Sequence, residues 1–172
     1  MNKIACLSAL ACVLAVTAGS ATAGESTVTA GYAQGDMQGV INKASGFNLK
    51  YRYEMDDTSP WSMISSFTYL EKNRAEQGDY KKGQYYGITA GPAFRINDWS
   101  SVYGVVGMGV GQFTNNAQDG SNTNRTSDVG VAYGAGLQFN PMENVALDVS
   151  YEQSRIRSVD VGTWIAGVGY RF

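Results

Sequence analysis

The stretch Phe47-Asn48-Leu49-Lys50-Tyr51-Arg52-Tyr53-Glu54-Met55 alternates between apolar and polar residues without interruption. A period of two predicts a β-strand with one apolar and one polar face. The polar face carries three charges in succession, Lys50, Arg52 and Glu54. In a soluble sandwich these charges would face water. In a membrane barrel the apolar face would meet lipid, and the enclosed charges would need partners. The rest of the chain decides between these arrangements.

The first residues carry the pattern of a secretory signal peptide. A basic segment, Met1–Lys3, precedes an apolar run from Ile4 to Ala18, and Ala21-Thr22-Ala23 fits a small-x-small cleavage site. The run is about 15 residues long, shorter than the roughly 20 residues of a membrane-spanning helix. We therefore predict that residues 1–23 are cleaved and that residues 24–172 form the mature domain. A lipoprotein signal is the alternative.

That alternative would make Cys12 the lipidated residue, but Ala9 stands where leucine is preferred and the apolar segment would be very short. Cys6 and Cys12 both lie in the predicted signal, so the mature domain has no disulfide. The chain has no histidine, which removes histidine triads and histidine metal sites. No cofactor or metal is predicted. A net charge of −2, which becomes −3 without Lys3, argues against a nucleic-acid partner.

Repeated alternation, 11 tyrosines and 21 glycines predict an all-β chain. No later run is apolar and long enough for a transmembrane helix. We predict eight strands, at about Ser26–Gln34, Phe47–Met55, Met63–Leu70, Gln84–Ile96, Ser101–Phe113, Ser127–Asn140, Val145–Ser154 and Thr163–Phe172.

The connections between these strands alternate in length. Three are short turns, at 56–60, 97–100 and 141–144. Three are longer and polar, at 35–45, 71–83 and 114–126, and the last, at about 155–162, is intermediate. Short turns at one end of an even number of strands are typical of outer-membrane barrels, in which those turns are periplasmic.

The two faces of the strands favour the same fold. The apolar faces end in aromatic residues, as the girdles of a membrane barrel do. The polar faces are rich in glycine, which would make room for long side chains in a narrow interior. We expect a paired interior charge network formed by Lys50, Arg52, Glu54, Arg95, Asp148, Glu152 and Arg171.

We therefore predict an eight-stranded antiparallel transmembrane β-barrel with up-and-down meander topology. Its N- and C-termini would lie in the periplasm. A soluble lipocalin-like or sandwich domain is the alternative, but it does not explain the alternating loop lengths or the terminal Phe172, which is in phase with the lipid face.

Three segments resemble the Ail/OmpX/PagC/Lom family of small enterobacterial outer-membrane proteins. They are Ser45–Glu54, Gln84–Ala93 and the tail from Tyr133 to Phe172, and the resemblance extends over essentially the whole chain. The third long loop, from Thr114 to Arg125, departs most from the family pattern, so an activity residing there does not carry over.

The resemblance implies a monomeric barrel without a continuous channel, whose strands extend beyond the membrane as a protruding sheet. It also implies roles in adhesion, host-cell entry or complement resistance, with host surface or complement proteins as partners. Outer-membrane lipid, lipopolysaccharide and the barrel-assembly machinery are further implied partners. The assembly machinery would read the terminal aromatics Tyr170 and Phe172.

Catalysis is the competing hypothesis for the carboxylates Glu54, Asp148 and Glu152, which we expect instead to pair with the interior cations. The loop cations Lys72, Arg74, Lys81 and Lys82 suit lipopolysaccharide phosphates or a solvated loop face. We therefore predict a surface interaction protein without catalytic activity that acts through outer loops and strand edges. A narrow pore and a structural membrane component are the alternatives.

Overall fold

The computed structural model describes residues 25–37, 41–55, 58–76, 79–116, 123–156 and 159–172. The predicted signal peptide and the predicted cleavage site lie outside these residues. Within the part of the chain that the structure describes, no helix is long and apolar enough to cross a membrane.

Eight β-strands form one closed antiparallel barrel, in which each strand pairs with the next and the last pairs with the first. This confirms the predicted fold class. The strands are β1 (Ser26–Met37), β2 (Ile41–Glu54), β3 (Trp61–Glu76), β4 (Asp79–Asn97), β5 (Ser100–Asn116), β6 (Thr123–Met142), β7 (Val145–Ile156) and β8 (Val159–Arg171).

The first and last strands close the barrel. The backbone N–H of Ser26 donates to the carbonyl of Phe172 at 3.0 Å, and the N–H of Phe172 donates back to Ser26 at 2.9 Å. Closure leaves no unpaired strand edge in this part of the sheet, which is a requirement for backbone in lipid. Both ends therefore lie at the barrel end that carries the short turns, called the inner end below.

The alternation in β2 places its charged face inside the barrel. Asn48, Lys50, Arg52 and Glu54 are buried, whereas Tyr51 on the other face is exposed. The same alternation holds in β7, whose burial pattern has period two, and it puts apolar side chains on the outer surface. The interior is therefore polar and the surface apolar, the reverse of a soluble domain.

Aromatic side chains lie in pairs on the outer surface at both ends of the barrel. At the inner end, the rings of Trp61 and Phe94 are 5.1 Å apart. At the other, outer end, Tyr69 and Tyr86 are 5.0 Å apart. These pairs are the two interfacial girdles that the sequence predicts.

The long polar connections are shorter than predicted. Most of 35–45, 71–83 and 114–126 is strand, because β1 continues to Met37 and β3 to Glu76, while β6 already begins at Thr123. In 71–83 and 114–126 the sequence pattern failed because a strand that stands in water on both faces has no need to alternate. The predicted loop tips at 38–40, 77–78 and 117–122 lie outside the described residues.

The longest strands are β3 to β6, with 16 to 20 residues, whereas the other four have 12 to 14. A tilted strand needs about 9–11 residues to cross a membrane. The pairing of β2 with β3 stops at Glu71, and that of β6 with β7 begins at Val131. We call the part of β3 to β6 beyond these points the outer sheet. Its open edges are residues 72–76 and 123–130.

Candidate functional site

At the inner end of the barrel one carboxylate holds three guanidinium groups. The Glu54 side chain, which is 8% exposed, pairs with Arg95 and lies 3.0 Å from Arg171 and 3.4 Å from Arg52. Arg171 also pairs with Glu25, which immediately precedes β1. Arg52 donates further to Ser62 at 2.8 Å and to Gln138 at 3.2 Å. One acceptor therefore joins β2, β4 and β8.

A second buried ion pair lies one layer further from the inner end. The Lys50 ammonium donates to a carboxylate oxygen of Asp148 and, at 2.7 Å, to Ser150. The other Asp148 oxygen accepts the Tyr103 hydroxyl at 2.7 Å. Lys50 lies 5.7 Å from the centre of the Tyr103 ring, within the range of a cation–π contact. Both charges of the pair are therefore satisfied within the protein, as buried charges require.

Glu152 forms a different cluster from the one expected. It accepts hydroxyl hydrogen bonds from Ser66 and Thr68, each at 2.9 Å, and Asn48 donates to both hydroxyl oxygens at 2.8 Å. No cation lies within ion-pair distance of Glu152 among the side chains that the structure describes. The expectation that Glu152 pairs with an interior cation is therefore corrected, because two hydroxyl donors on β3 take that place.

An apolar layer lies above these clusters, towards the outer end. Leu70, Tyr85, Val161 and Ile165 are all at most 2% exposed and belong to one buried cluster. The polar clusters are thus enclosed between an apolar layer and the arginine-rich inner end. This arrangement holds the carboxylates as acceptors in ion pairs and hydrogen bonds.

The small residues of β4 to β6 form the opposite interior wall. A Cβ atom added at Gly136 would overlap the ring of Tyr103, and one at Gly134 would lie 2.8 Å from Glu152. Glycine at these inward positions therefore makes room for the long side chains that cross from β5 and β7. Across the described residues, no group of three or more acidic, cysteine or histidine side chains could hold a metal ion.

The open edges of the outer sheet are the second candidate site. Residues 72–76 of β3 pair with β4 alone, and residues 123–130 of β6 pair with β5 alone. Half of the backbone donors and acceptors along each edge therefore point away from the one described strand that pairs with it. Such an edge can accept an added strand from another protein.

The four predicted loop cations belong to the strands of this sheet. Lys72 and Arg74 lie in β3, and Lys81 and Lys82 lie in β4, with Arg74 opposite Lys81 in the register. Their side chains are outside the described residues. At the inner end, Tyr170 and Phe172 are exposed on the outer surface with their rings 6.5 Å apart.

Sequence reasoning missed three partners of the interior charges. Tyr103 and Gln138 lie on the inward faces of β5 and β6, and Glu25 precedes the first strand. The same alternation that assigns the apolar face of β5 places Tyr103 inside, so its position was accessible from the sequence. Its pairing with Asp148 was not, because that contact depends on the register across several strands.

Comparisons with known proteins agree with this geometry. A family model described as "Outer membrane protein beta-barrel domain" matches residues 4–172. "Outer membrane protein X" of Escherichia coli (strain K12) is 70% identical over 173 residues, with both chains covered completely. The "Attachment invasion locus protein" of Yersinia pseudotuberculosis is 42% identical over 185 residues, covering 100% of this chain and 98% of that protein.

Solved structures show the same fold. The crystal structure of Ail, the attachment invasion locus protein of Yersinia pestis, in complex with the heparin analogue sucrose octasulfate superimposes with a TM-score of 0.80. It is 42% identical in sequence and covers 88% of this chain and 100% of that one.

Proposed function

We propose the function of this chain from its family: it belongs to the Ail/OmpX/PagC family of outer-membrane β-barrel proteins. It is an integral, multi-pass protein of the cell outer membrane. Within that setting we infer a surface interaction protein without catalytic activity, which contributes to adhesion, host-cell entry or complement resistance. Host surface or complement proteins are its proposed partners.

The observation that carries this proposal is the pair of open edges of the outer sheet. Above the membrane, residues 72–76 and 123–130 each pair with one strand among the residues that the structure describes. A partner segment that pairs with such an edge gains main-chain hydrogen bonds whatever its sequence. The edge therefore suits a protein that binds several foreign partners, whereas a purely structural barrel would gain by covering it.

The cations of the β3–β4 hairpin support a second kind of contact on the same sheet. The related Ail protein of Yersinia pestis forms a complex with sucrose octasulfate, a polyanion. Lys72, Arg74, Lys81 and Lys82 are the proposed contacts of this chain with lipopolysaccharide phosphates or other polyanions. Such binding would weaken as salt is added.

The interior charges have a scaffolding role in this proposal. Every interior carboxylate described above is already bound by cations or hydroxyl groups. The apolar layer around Leu70 and Ile165 stands across the interior. These observations favour an interaction protein over a narrow pore. A stable, reproducible unit conductance in planar bilayers would reverse that preference.

Processing and assembly complete the proposal. We infer that residues 1–23 are removed as a signal peptide and that the protein functions as a monomer. We also infer that Tyr170 and Phe172 are read by the barrel-assembly machinery, since both side chains are exposed at the end of the last strand.

Proline substitution on the β6 edge tests the function. Successive N–H groups of a strand point to opposite sides of it. Proline lacks the N–H, so one of the variants Ser127→Pro and Asp128→Pro loses a donor that faces β5, and the other loses a donor that faces the open edge. Bacteria that display each variant are compared for adherence to cultured epithelial cells and survival in serum. We expect one of the two variants to lose adherence about tenfold at an unchanged surface level.

Alanine substitutions at the same positions are the matched controls, since Ser127→Ala and Asp128→Ala change the side chain and keep the N–H. They are expected to adhere as the parent does. If both proline variants also adhere and survive like the parent, edge pairing is not the mechanism.

A further inference from the structure

A groove opens on the outer surface of the barrel near its outer end, across β7, β8 and β1. Its cavity volume is about 320 Å³, at the lower end of the range of roughly 300–1,000 Å³ for small-molecule sites. The strand register places Gly162 at its centre, opposite Asp36 of β1 on one side and Gln153 of β7 on the other. The groove is hollow there because residue 162 has no side chain.

Two aromatic rings form the lower wall of this groove. Trp164 is the next outward residue of β8, and Tyr151 lies opposite it on β7. Their rings are 5.0 Å apart and inclined at 56°, which makes an open corner, and 64% of Trp164 is exposed. A Cβ atom at Gly162 would overlap the Tyr151 hydroxyl, so the absence of a side chain at Gly162 allows the tyrosine to extend across it.

Amides and carboxylates line the rest of the groove. Gln34 lies opposite Trp164 in the register, and neither Gln34 nor Gln153 has a side-chain hydrogen bond to another described residue. Within the described part of the chain, Asp36 accepts one bond, from the Lys43 N–H to one carboxylate oxygen at 3.2 Å. The aromatic faces suit the C–H groups of a sugar ring, and the amides and carboxylate suit its hydroxyl groups.

The charge in the groove argues against a phosphate ligand. Asp160, at the upper end, accepts a hydrogen bond from Arg155 at 2.9 Å, and this contact lowers the pKa of Asp160, so the carboxylate stays ionised. Arg155 is thereby already paired, and the lining residues themselves include no cation. Two carboxylates would repel phosphate but would accept hydrogen bonds from neutral hydroxyl groups.

The height of the groove points to a ligand in the surrounding membrane. It begins at the aromatic rim of Tyr151 and Trp164 and continues over the four residues to Asp160, which is about 9 Å for a strand tilted by about 45°. The polar layer of a bilayer leaflet is on the order of 5–8 Å thick. Because β1, β7 and β8 do not belong to the outer sheet, the groove opens sideways into this layer.

We propose that the groove binds a pyranose ring of the core oligosaccharide of lipopolysaccharide in the adjacent outer leaflet. Trp164 and Tyr151 stack on the apolar face of the ring, and Gln34, Gln153 and Asp36 bond its hydroxyl groups. This site goes beyond the proposed surface interactions, since it lies on the side of the barrel formed by the shorter strands β1, β7 and β8. The edges of the outer sheet and the β3–β4 cations lie elsewhere.

Tryptophan fluorescence tests the proposal. The mature protein, refolded in nanodiscs with Trp61→Phe and Trp99→Phe, keeps Trp164 as its one tryptophan. Rough lipopolysaccharide, which carries a core oligosaccharide, is titrated into the bilayer, and lipid A without sugars of the core is the comparison. We expect a saturable shift of the Trp164 emission with rough lipopolysaccharide, at a mole fraction about tenfold below that for any response to lipid A.

Filling or depolarising the groove is expected to weaken binding. Gly162→Leu and Gln153→Leu should each raise the half-saturating mole fraction about tenfold, while Gly104→Leu, an outward glycine of β5 remote from the groove, should leave it unchanged. Asp36→Asn supplies a third variant if Gly162→Leu does not refold. An equal response to lipid A and rough lipopolysaccharide, or unchanged binding by the groove variants, would overturn the proposal. If free core oligosaccharide bound as tightly as rough lipopolysaccharide in the bilayer, the part of the proposal that the sugar belongs to a membrane lipid would be overturned.

Discussion

In the closed wall of the barrel every strand has two neighbours, whereas in the outer sheet β3 beyond Glu71 and β6 before Val131 have one. The wall lies in lipid, where an unpaired backbone group costs several kcal/mol. The outer sheet stands in water, which can bond the groups that the edge leaves open. Strand edges are therefore paired in the part of the chain that lies in lipid, and they are open in the part that lies in water, where a partner protein can reach them.

The two regions also differ in how their side chains are satisfied. Inside the wall, Glu54, Lys50 and Asp148 hold their partners in a confined interior. At the outer rim, Arg155 and Asp160 form an ion pair with 69% of the arginine side chain exposed. If this difference is correct, disturbing the interior should cost far more stability than disturbing the rim.

The largest effect is expected at the inner end of the barrel. Glu54→Gln leaves Arg52, Arg95 and Arg171 without their shared carboxylate, and removing one partner of a buried ion pair typically costs about 3–5 kcal/mol. Denaturant unfolding in lipid vesicles measures this loss. Glu143→Gln, in the exposed turn between β6 and β7, is the matched control and should be neutral. Equal stability of the two variants would remove the central role of Glu54.

A smaller effect is expected on the glycine-rich interior wall. Gly136→Ala places a methyl group against the Tyr103 ring and 2.6 Å from the Cβ of Ser150, and overpacking of this kind costs about 1–3 kcal/mol. Gly104→Ala is the control, because its methyl group would point outward with its nearest neighbour 3.9 Å away. Unfolding midpoints that do not separate the two variants would mean that the interior has unfilled space near Tyr103.

The smallest effect is expected at the rim. The hydrogen bond from Arg155 lowers the pKa of Asp160 in the folded protein. The ion pair therefore stabilises the fold above the pKa of about 4 that Asp160 has in the unfolded chain, and this stabilisation disappears as the pH falls through the lower folded pKa. The parent should be slightly more stable than Asp160→Asn at neutral pH, and the two should converge in acid. A difference that persists after the Asp160 carboxyl group has become protonated would assign the effect to something other than this ion pair.

The sequence is sufficient for the part of the molecule that the membrane constrains. In β2, lipid on one side and a polar interior on the other impose alternation, so the period of two alone assigns Tyr51 and Lys50 to opposite faces. In the outer sheet both faces meet water and the alternation is lost, so the pattern of 71–83 predicts a loop where the chain forms strand. The limit of the prediction therefore coincides with the boundary of the membrane.

The choice of partners in the interior does not follow from the sequence. Whether Lys50 reaches Asp148 or Glu152 depends on the stagger accumulated around the barrel, and each of those residues is about one hundred positions away. Glu152 was expected to bind a cation but accepts hydroxyl groups from Ser66 and Thr68. Residue types predict that the charges are enclosed, whereas only the register determines which groups meet.

Backbone hydrogen exchange along β6 tests the difference between wall and edge most directly. In the wall, every N–H from Val131 to Phe139 faces a paired strand, β5 or β7, so protection should be continuous. Along 123–130 alternate N–H groups face the open edge, so protection should alternate from one residue to the next. Continuous protection across 123–130 in the isolated protein would show that the edge is covered, and it would contradict both the open edge and the function proposed from it.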